Sequence, residues 1–431
     1  MKFYDINPSL KLEKRKDRFF LSWVVPSRGV LVEREATSCD LIALKIVAED
    51  ADVREVSLRE GVEPALLYDV LRKAEVDGII VKKPTSIVRT GAAFDDAWFP
   101  YDEFRKVELF TLQWHITQRC DFGCKHCYDR SFRKEPSLKD AIRILDDFYD
   151  FCERNCVYGQ ISFTGGNPFL YPDFLSVYRE AIDRGFLVAI LGNPVDEYLI
   201  DEMLNIRFPL FYQVSLDGLE ETNDRIRGHG HYKKTVEFIK VLREKGVATT
   251  VMFTLHDENI NEVIPLARSL EGMIDMFSFN RLSLAGRGKC LSPVDIKKFY
   301  KLLDLYLEES KNLPYLNLKD NMFNRVLWNK GMELVGGCTG YGCGAAFNFL
   351  ALLPDGEVHA CRKFPSHLGN VFESSLHDIY WSSEAEAYRN APVSCAKCKL
   401  CVVCRGCLAV TATYGLDPFK DRDPFCPGPV A

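Results

Sequence analysis

The chain has 431 residues, which is enough for two to four domains at about 100–200 residues each. It is 47% hydrophobic and 27% charged, close to the average of globular proteins, and this excludes a mainly disordered or collagen-like chain. The formal net charge of -6 argues against a general nucleic-acid binder, because such a protein needs a basic surface.

Cysteine is the unusual component of the composition. The 16 cysteines lie in a chain too long for a small disulfide scaffold. The first residues, Met1–Pro8, lack the apolar core of a signal peptide, and no apolar run approaches the length of a membrane span. We therefore expect a cytoplasmic protein without a membrane partner, in which thiols stay reduced. Clustered cysteines in such a protein indicate metal or redox chemistry.

The first region, residues 1–103, has no cysteine cluster and predicts a small domain. Two apolar, β-branched runs with turn residues between them predict a β-hairpin, and helical periodicity follows twice before a short apolar strand. These elements fall at 19–32, 40–47, 64–78 and 79–81. Their order is typical of a winged-helix-like domain.

Many winged-helix domains bind DNA, but the second predicted helix argues against that function here. Segment 63–78 holds four acidic and two basic residues. A recognition helix that enters a phosphate-lined groove should not be acidic. We therefore expect no nucleic-acid partner, and a structural or a peptide-binding role remain as alternatives for this region.

A C-x3-C-x2-C pattern follows the apolar strand predicted at 109–117. Its cysteines are Cys120, Cys124 and Cys127. Three thiolates on one short loop suit an iron–sulfur cluster, and a four-iron cube with three protein ligands keeps one iron open to an outside ligand. Zinc normally takes four ligands, and no fourth cysteine lies near in sequence. A buried helical stripe is disfavoured because Gly123 weakens a helix there.

Strands and helices alternate through the second region, residues 106–300. Helical segments such as 139–152 and 232–245 separate six predicted strands, which lie at 109–117, 160–164, 186–191, 208–216, 248–255 and 276–284. This alternation predicts an α/β fold with a parallel sheet, and six units predict a partial (β/α)6 TIM-like barrel. Sites in such folds gather at the carboxyl ends of the strands, where the cysteine loop and a Gly-Gly-Asn-Pro segment both fall.

These features together resemble the radical SAM enzymes. In that superfamily, C-x3-C-x2-C binds a [4Fe–4S] cluster whose open iron chelates S-adenosylmethionine. The resemblance implies that Cys120, Cys124 and Cys127 are ligands of this cluster. It also implies reductive cleavage of S-adenosylmethionine to a 5′-deoxyadenosyl radical, which abstracts hydrogen from a substrate carbon.

The resemblance also implies a set of contacts to S-adenosylmethionine. The Gly-Gly-Asn-Pro segment is similar to the family's GGEP motif, with Asn167 in place of the common Glu. Ser215 and Arg227 match segments that in related enzymes lie near the ribose and carboxylate of S-adenosylmethionine. The implied contacts are Gly165, Gly166, Asn167, Pro168, Ser215 and Arg227. For Ser215 and Arg227, a strand end and a helix-start ion pair are the structural alternatives. No general base is evident, and Asp217 and Tyr128 are candidates by position only.

The third region, residues 336–431, follows a predicted helical linker at 301–335 and holds nine cysteines. By themselves these cysteines suit a zinc ribbon or iron–sulfur clusters equally well. Behind a radical SAM core they resemble the SPASM extension, which holds two auxiliary [4Fe–4S] clusters. The family's crossed ligation assigns Cys338, Cys343, Cys361 and Cys407 to the first cluster, and Cys395, Cys398, Cys404 and Cys426 to the second. Cys401 is an extra candidate ligand, so it stays open which of the cysteines at 401, 404 and 407 bind the clusters.

Radical SAM/SPASM enzymes that modify ribosomally made peptides often begin with a winged-helix, PqqD-like domain. In that family the leader peptide adds a strand to the sheet edge of this domain. Region 1–103 resembles it, which implies a peptide maturase that forms a thioether or carbon–carbon cross-link. The implied partners are a small precursor peptide and a reductase such as flavodoxin or ferredoxin.

Two other functions remain as alternatives. One is another enzyme of the same chemistry, either an anaerobic sulfatase-maturating enzyme or one of haem or quinone cofactor biosynthesis. The other is a multi-cluster iron–sulfur electron carrier or redox sensor, which would not cleave S-adenosylmethionine. The Gly-Gly-Asn-Pro segment argues against the carrier.

Overall fold

The computed structural model describes residues 3–90, 94 and 102–430. The N-terminal part consists of two small sheets and three helices: β1 Tyr4–Ile6, β2 Lys11–Arg15, β3 Arg18–Val25, β4 Val30–Glu35, α1 Ser38–Ala48, α2 Val53–Glu60, α3 Pro64–Val76 and β5 Ile80–Lys82. Strands β2, β3 and β4 form one antiparallel sheet in that order, and β1 pairs with β5. The predicted hairpin, both predicted helices and the short strand are confirmed, and α2 is an addition.

Local chemistry explains where these helices begin. Thr37 and Asp40 form a reciprocal capping box at the start of α1, and Pro64 occupies the first turn of α3. The unit has its own apolar core, which includes Leu21 and Trp23 from the hairpin. The predicted end of this region, residue 103, lies just after residues 91–93 and 95–101, which lie outside the described residues.

The central part contains six parallel strands and the helices that connect them: β6 Leu109–Thr117, α4 Leu138–Asn155, β7 Tyr158–Gly165, α5 Phe174–Asp183, β8 Leu187–Leu191, α6 Glu197–Ile206, β9 Tyr212–Ser215, α7 Glu220–Arg227, α8 His231–Glu244, β10 Thr249–Leu255, α9 Val263–Ser269 and β11 Met276–Arg281. The six strands are neighbours in chain order. The predicted α/β partial barrel is therefore confirmed. Strand β9 is shorter than predicted because Pro209 has no N–H to donate to a ladder.

The C-terminal part extends the same sheet. Its elements are α10 Ile296–Glu309, α11 Phe323–Asn329, β12 Phe349–Leu352, β13 Glu357–His359, β14 His367–Asn370, α12 Leu376–Tyr380, α13 Ser383–Arg389 and α14 Leu408–Thr413. Strand β12 pairs in parallel with β6, and β13 and β14 follow in antiparallel order, which completes a nine-stranded sheet. A tight turn joins β12 to β13, where Gly356 has a φ of 86°.

Side-chain contacts hold the N-terminal part against the barrel. The Glu75 carboxylate of α3 accepts hydrogen bonds from the hydroxyls of Tyr4 and Tyr158, the latter from β7. Arg207, at the end of α6, contacts the Asp69 carboxylate at 2.7 Å. Within the described part of the chain, no helix combines the length and hydrophobicity that crossing a bilayer requires.

Candidate functional site

A cavity of about 1000 Å³ opens at the carboxyl ends of the parallel strands. Cys120, Cys124 and Cys127 line it from the loop after β6. Gly165 and Gly166, at the end of β7, line the same cavity. The parallel sheet brings these segments together because the carboxyl ends of neighbouring strands meet at one edge.

The two glycines support the cysteine loop through their backbone. The Gly166 N–H donates to the Thr117 carbonyl at 2.9 Å, and the Asn167 N–H donates to the Arg119 carbonyl at 2.8 Å. A Cβ atom at Gly165 would overlap the Thr117 carbonyl oxygen, and one at Gly166 would overlap that of Arg119. Glycine is required at both positions because the two loops approach so closely.

Asn167 is buried and braces the loop with its side chain. Its amide donates from Nδ2 to the Asp121 carboxylate at 2.9 Å. Its Oδ1 is buried and has no hydrogen-bond partner among the described residues. A Cβ atom at Gly192, which lines the cavity, would lie 3.4 Å from this oxygen. Pro168 is buried in the short 3₁₀ turn that follows and does not line the cavity.

Arg227 and Asp217 form a buried ion pair beside the cysteines. The Arg227 Nε donates to Asp217 Oδ2 at 2.6 Å, and His126 Nε2 lies 2.7 Å from the same oxygen. The other carboxylate oxygen accepts the Thr254 N–H at 2.7 Å. Burial opposes ionisation, but Arg227 and His126 outweigh it and hold the pKa of Asp217 below its usual value. The geometry gives Asp217 a positioning role, since both oxygens are occupied.

Polar groups approach all three cysteine sulfur atoms. Arg227 Nη1 lies 3.8 Å from the Cys124 sulfur, and Asn193 Nδ2 lies 3.5 Å from that of Cys120. The Cys127 thiol donates to the Asp129 carbonyl at 3.1 Å. Burial raises the pKa of Cys124, and the Arg227 guanidinium opposes that shift. Sequence analysis missed Asn193, although its place just after β8 was a usable signal.

Ser215 and Tyr128 both line this cavity. Ser215 ends β9, and its contact with the cofactor stays a prediction. The Tyr128 hydroxyl lies 3.5 Å from His115 Nε2. Burial raises the pKa of Tyr128 to about 12, so it stays protonated at neutral pH.

A second cavity of about 1140 Å³ adjoins the first. Tyr128, Arg362 and Lys363 line both cavities, so these side chains form their common wall. The Arg362 guanidinium donates to the Thr164 hydroxyl at 3.1 Å. Arg362 belongs to the C-terminal part, where it directly follows Cys361. This part therefore contributes to the wall of the barrel site.

The nine C-terminal cysteines fall into two groups. One group lines a cavity of about 460 Å³ and contains Cys395, Cys398, Cys401, Cys404 and Cys426. In the other group, burial together with the nearby Cys343 and Cys338 thiols raises the pKa of Cys361 to about 11. Burial and the Cys343 thiol also raise the pKa of Cys407. The groups thus contain the two predicted ligand sets, and Cys401 lies with the second.

The donor sets fit iron–sulfur clusters. Among the described residues, no three His, Cys, Asp or Glu side chains converge closely enough to hold a single metal ion. Iron–sulfur clusters are held by cysteine thiolates, and the two C-terminal groups supply four and five cysteines. Backbone N–H groups of Gly406 and Val430 point at the sulfurs of Cys404 and Cys398, each at 3.3 Å. The unpartnered Asn167 Oδ1 is buried, and Asn167, like Pro168, is not among the residues that line the first cavity.

Family models match both parts of this arrangement. The model of the radical SAM superfamily matches residues 114–270, which include the cysteine loop and the ion pair. The model of SPASM, an iron–sulfur cluster-binding domain, matches residues 343–408. The chain therefore contains a radical SAM domain and a SPASM domain. This radical SAM/SPASM protein is an enzyme whose cofactors are S-adenosylmethionine and iron–sulfur clusters.

Curated relatives of the radical SAM/SPASM enzyme differ in what they make. Fe-coproporphyrin III synthase of Methanosarcina barkeri is 25% identical over 363 residues, which cover 75% of this chain and 89% of that protein. The antilisterial bacteriocin subtilosin biosynthesis protein AlbA of Bacillus subtilis is 23% identical over 319 residues, which cover 68% of this chain and 65% of AlbA.

A solved structure shares the fold over nearly the whole chain. Streptococcus suis SuiB, crystallised with its precursor peptide SuiA, superposes with a TM-score of 0.60. The sequences are 17% identical, and the match covers 98% of this chain and all (100%) of SuiB. At this identity the likeness concerns the fold alone.

Proposed function

We propose that this radical SAM/SPASM enzyme matures a ribosomally made precursor peptide, in which it forms a thioether or carbon–carbon cross-link. The observation that carries the proposal is the fold shared with SuiB over the N-terminal part as well as the barrel and the SPASM domain. The similarity to AlbA, a bacteriocin biosynthesis protein, supports it. The corresponding domains are 1–103, 106–300 and 336–431, with 301–335 as the linker.

The catalytic site follows from the residues at the mouth of the barrel. Cys120, Cys124 and Cys127 would hold the cluster that binds S-adenosylmethionine. Cluster and S-adenosylmethionine together would supply a carbon-centred radical that takes hydrogen from the substrate. Arg227 stabilises negative charge beside Cys124, and Asp217 fixes its orientation. A one-electron donor such as flavodoxin or ferredoxin would reduce the cluster.

The adjoining cavity is the proposed substrate site. It meets the first cavity at Tyr128, so a peptide segment there would reach the cofactor across this side chain. Its wall is formed by both the barrel and the SPASM domain, for example at Leu284 and Phe364. Walls from two domains would limit the access of water and other hydrogen donors to the radical.

The leader peptide would bind as an added strand at the edge of the N-terminal sheet. Strand β4 is one edge of this sheet, and its residues Val30 and Leu31 are 54% and 69% exposed. The opposite edge, β2, reads Lys-Leu-Glu-Lys-Arg, and such charged edges resist pairing. We therefore assign the leader to β4, where main-chain hydrogen bonds and apolar contacts act together.

Anaerobic co-expression with a small peptide encoded beside the gene, followed by intact-mass spectrometry, tests the function. We expect the peptide to lose two hydrogens for each cross-link. An unchanged mass, with no deuterium incorporated from deuterated solvent, would contradict the peptide proposal.

A pair of matched variants tests the leader site. Leu31→Glu places a charge on the β4 edge, and Leu12→Glu places the same charge on the β2 edge, where Leu12 is 49% exposed. Burying a leucine contributes about 1.5–3 kcal/mol, so Leu31→Glu should weaken binding of the full precursor by about tenfold or more. Leu12→Glu should leave it unchanged, and equal effects would contradict the assignment.

A second candidate function is a step on a carboxylated tetrapyrrole. The similarity to Fe-coproporphyrin III synthase favours it, as does the cationic lining of the adjoining cavity by Lys289, Arg362 and Lys363. Carboxylates of either a peptide or a tetrapyrrole would suit these cations. Incubation with the iron coproporphyrin precursor under the same anaerobic conditions distinguishes the two substrates by mass.

A further inference from the structure

Two buried arginines lie beside the C-terminal cysteines. Arg89 and Arg405 are each 2% exposed. Both guanidinium groups donate to the carbonyl oxygen of Cys343, Arg89 from Nη2 at 2.8 Å. Their other acceptors are also backbone carbonyls, such as Val402 at 3.1 Å from Arg89 and Arg389 at 2.6 Å from Arg405.

The described part of the chain offers neither guanidinium an acidic partner. In the described ranges of the chain, no carboxylate forms a hydrogen bond or ion pair with Arg89 or Arg405. Burial, and then the like charge of Arg405, lowers the pKa of Arg89, whereas the nearby Cys343 and Cys401 thiols oppose that shift. Burying an uncompensated charge is costly, so the fold leaves positive charge here that needs an anion.

Arg405 lines the cavity of the second cysteine group, and Arg325 lines it as well. In each residue the Nε–H is buried and has no hydrogen-bond partner among the described residues. The backbone of Arg405 has a φ of 57°, a conformation that residues with side chains rarely adopt. A strained backbone beside an unpaired donor is typical of a functional constraint.

One carboxylate of the described chain lines this cavity, that of Asp423, together with the side chains of Arg325, Arg405 and Arg422. Asp423 accepts hydrogen bonds from Nη1 and Nη2 of Arg281 at 2.8 and 2.7 Å, and from the Cys407 N–H at 2.7 Å. Arg281 also pairs with Asp320 at 2.8 Å. The charged side chains that line the cavity are thus net positive, and an iron–sulfur cluster with four thiolates carries negative charge that would balance them.

We propose that Arg405 and Arg325 are positioning residues for the cluster of the second cysteine group, and that they raise its reduction potential. Each supplies a positive charge and an Nε–H donor to the cluster or its thiolates. Reduction adds one negative charge, so nearby cations and hydrogen bonds to sulfur favour the reduced state. The inference does not depend on the identity of the substrate.

A redox titration monitored by electron paramagnetic resonance tests this assignment. The full-length protein carries alanine at 120, 124 and 127, so that only the auxiliary clusters contribute to the signal. Arg325→Gln and Arg405→Gln should each shift one of the two auxiliary signals to a more negative potential and leave the other in place. Arg405→Lys, which keeps the charge, should shift it less. Arg268→Gln is the control, because Arg268 is exposed and pairs with Glu309.

Iron and sulfide analysis shows whether each variant holds both auxiliary clusters. Unchanged potentials in Arg325→Gln and Arg405→Gln proteins with full clusters would overturn the proposal, as would an equal shift in Arg268→Gln. If Arg405 variants do not fold, Arg325→Gln decides, because among the described residues the guanidinium of Arg325 donates to a single carbonyl, that of Gly428, at 3.1 Å. The measurement uses no peptide, so its failure is distinct from failure of the proposed function.

Discussion

Arg227 and Asp217 are joined by a 2.6 Å hydrogen bond between Nε and Oδ2 in a site where both side chains are buried. The pair connects α7 to the loop after β9, and Arg227 also reaches the Cys124 sulfur. Removing one member of a buried pair leaves the other charge without a partner. The stability of the barrel site and the orientation of Arg227 toward the cysteine loop thus depend on the same contact.

We expect Asp217→Asn to lower the free energy of unfolding by about 3–5 kcal/mol, since Arg227 would keep a buried, unpaired charge. Urea unfolding of the full chain measures this change. Asp201→Asn is the matched control, because Asp201 pairs with Lys245 at the surface, where such pairs contribute about 0–1 kcal/mol. Equal losses in the two variants would contradict the importance of burial.

The same pair predicts a pH dependence. The pKa of Asp217 is lower in the folded chain than in the unfolded one, where it is about 3.9. Its stabilising contribution is therefore complete above that value and is lost as the pH falls through the folded pKa. The difference in unfolding free energy between the wild type and Asp217→Asn should shrink as the pH falls below about 4. A difference that grows below that pH would be inconsistent with the ion pair.

Two glycines on either side of the site allow a matched steric test. A Cβ atom at Gly166 would overlap the Arg119 carbonyl and lie 2.9 Å from Cys120 Cβ, whereas one at Gly123 would meet nothing within 4 Å. Gly166→Ala should displace Cys120 and lower the rate of S-adenosylmethionine cleavage by on the order of 100-fold. Gly123→Ala should cleave it as the wild type does. Chromatography of 5′-deoxyadenosine measures both, and a fully active Gly166→Ala enzyme would refute the account of this loop.

The Asn167 and Asp121 side chains predict a charge-swap rescue. Asn167→Asp removes the Nδ2 donor and places a buried carboxylate against Asp121, so we expect a loss of about 1–3 kcal/mol in stability. Asp121→Asn in the same chain restores one donor and one acceptor and should recover most of the loss. Thermal and urea unfolding of the single and double variants test this. Purely additive losses would show that the two side chains do not interact.

Local patterns were sufficient to predict the cysteine loop, the six parallel strands and the N-terminal hairpin. Each depends on residues close together in sequence, either as a motif or as an apolar run bounded by turns. Ser215 and Arg227 both line the cavity, but the partners of Arg227 were not foreseen. The contact of Arg227 with Asp217 depends on how α7 packs against the sheet, which spacing alone does not determine.

The attachment of the SPASM domain to the barrel was not predictable from the sequence. Phe349–Leu352 is a short apolar run, and nothing in it indicates that β12 pairs with β6 more than 200 residues earlier. Arg89 and Arg405 were missed for the same reason. Each looks like an ordinary charged residue until the fold buries it beside Cys343.

Isotope transfer from substrate to cofactor is the most direct measurement of the central claim. The precursor peptide would be deuterated on its carbon atoms and incubated anaerobically with the reconstituted full-length enzyme, S-adenosylmethionine and a chemical reductant. The account predicts deuterium in the 5′-deoxyadenosine, in step with loss of hydrogen from the peptide. Unlabelled 5′-deoxyadenosine together with an unaltered peptide would contradict it and would favour the tetrapyrrole as substrate.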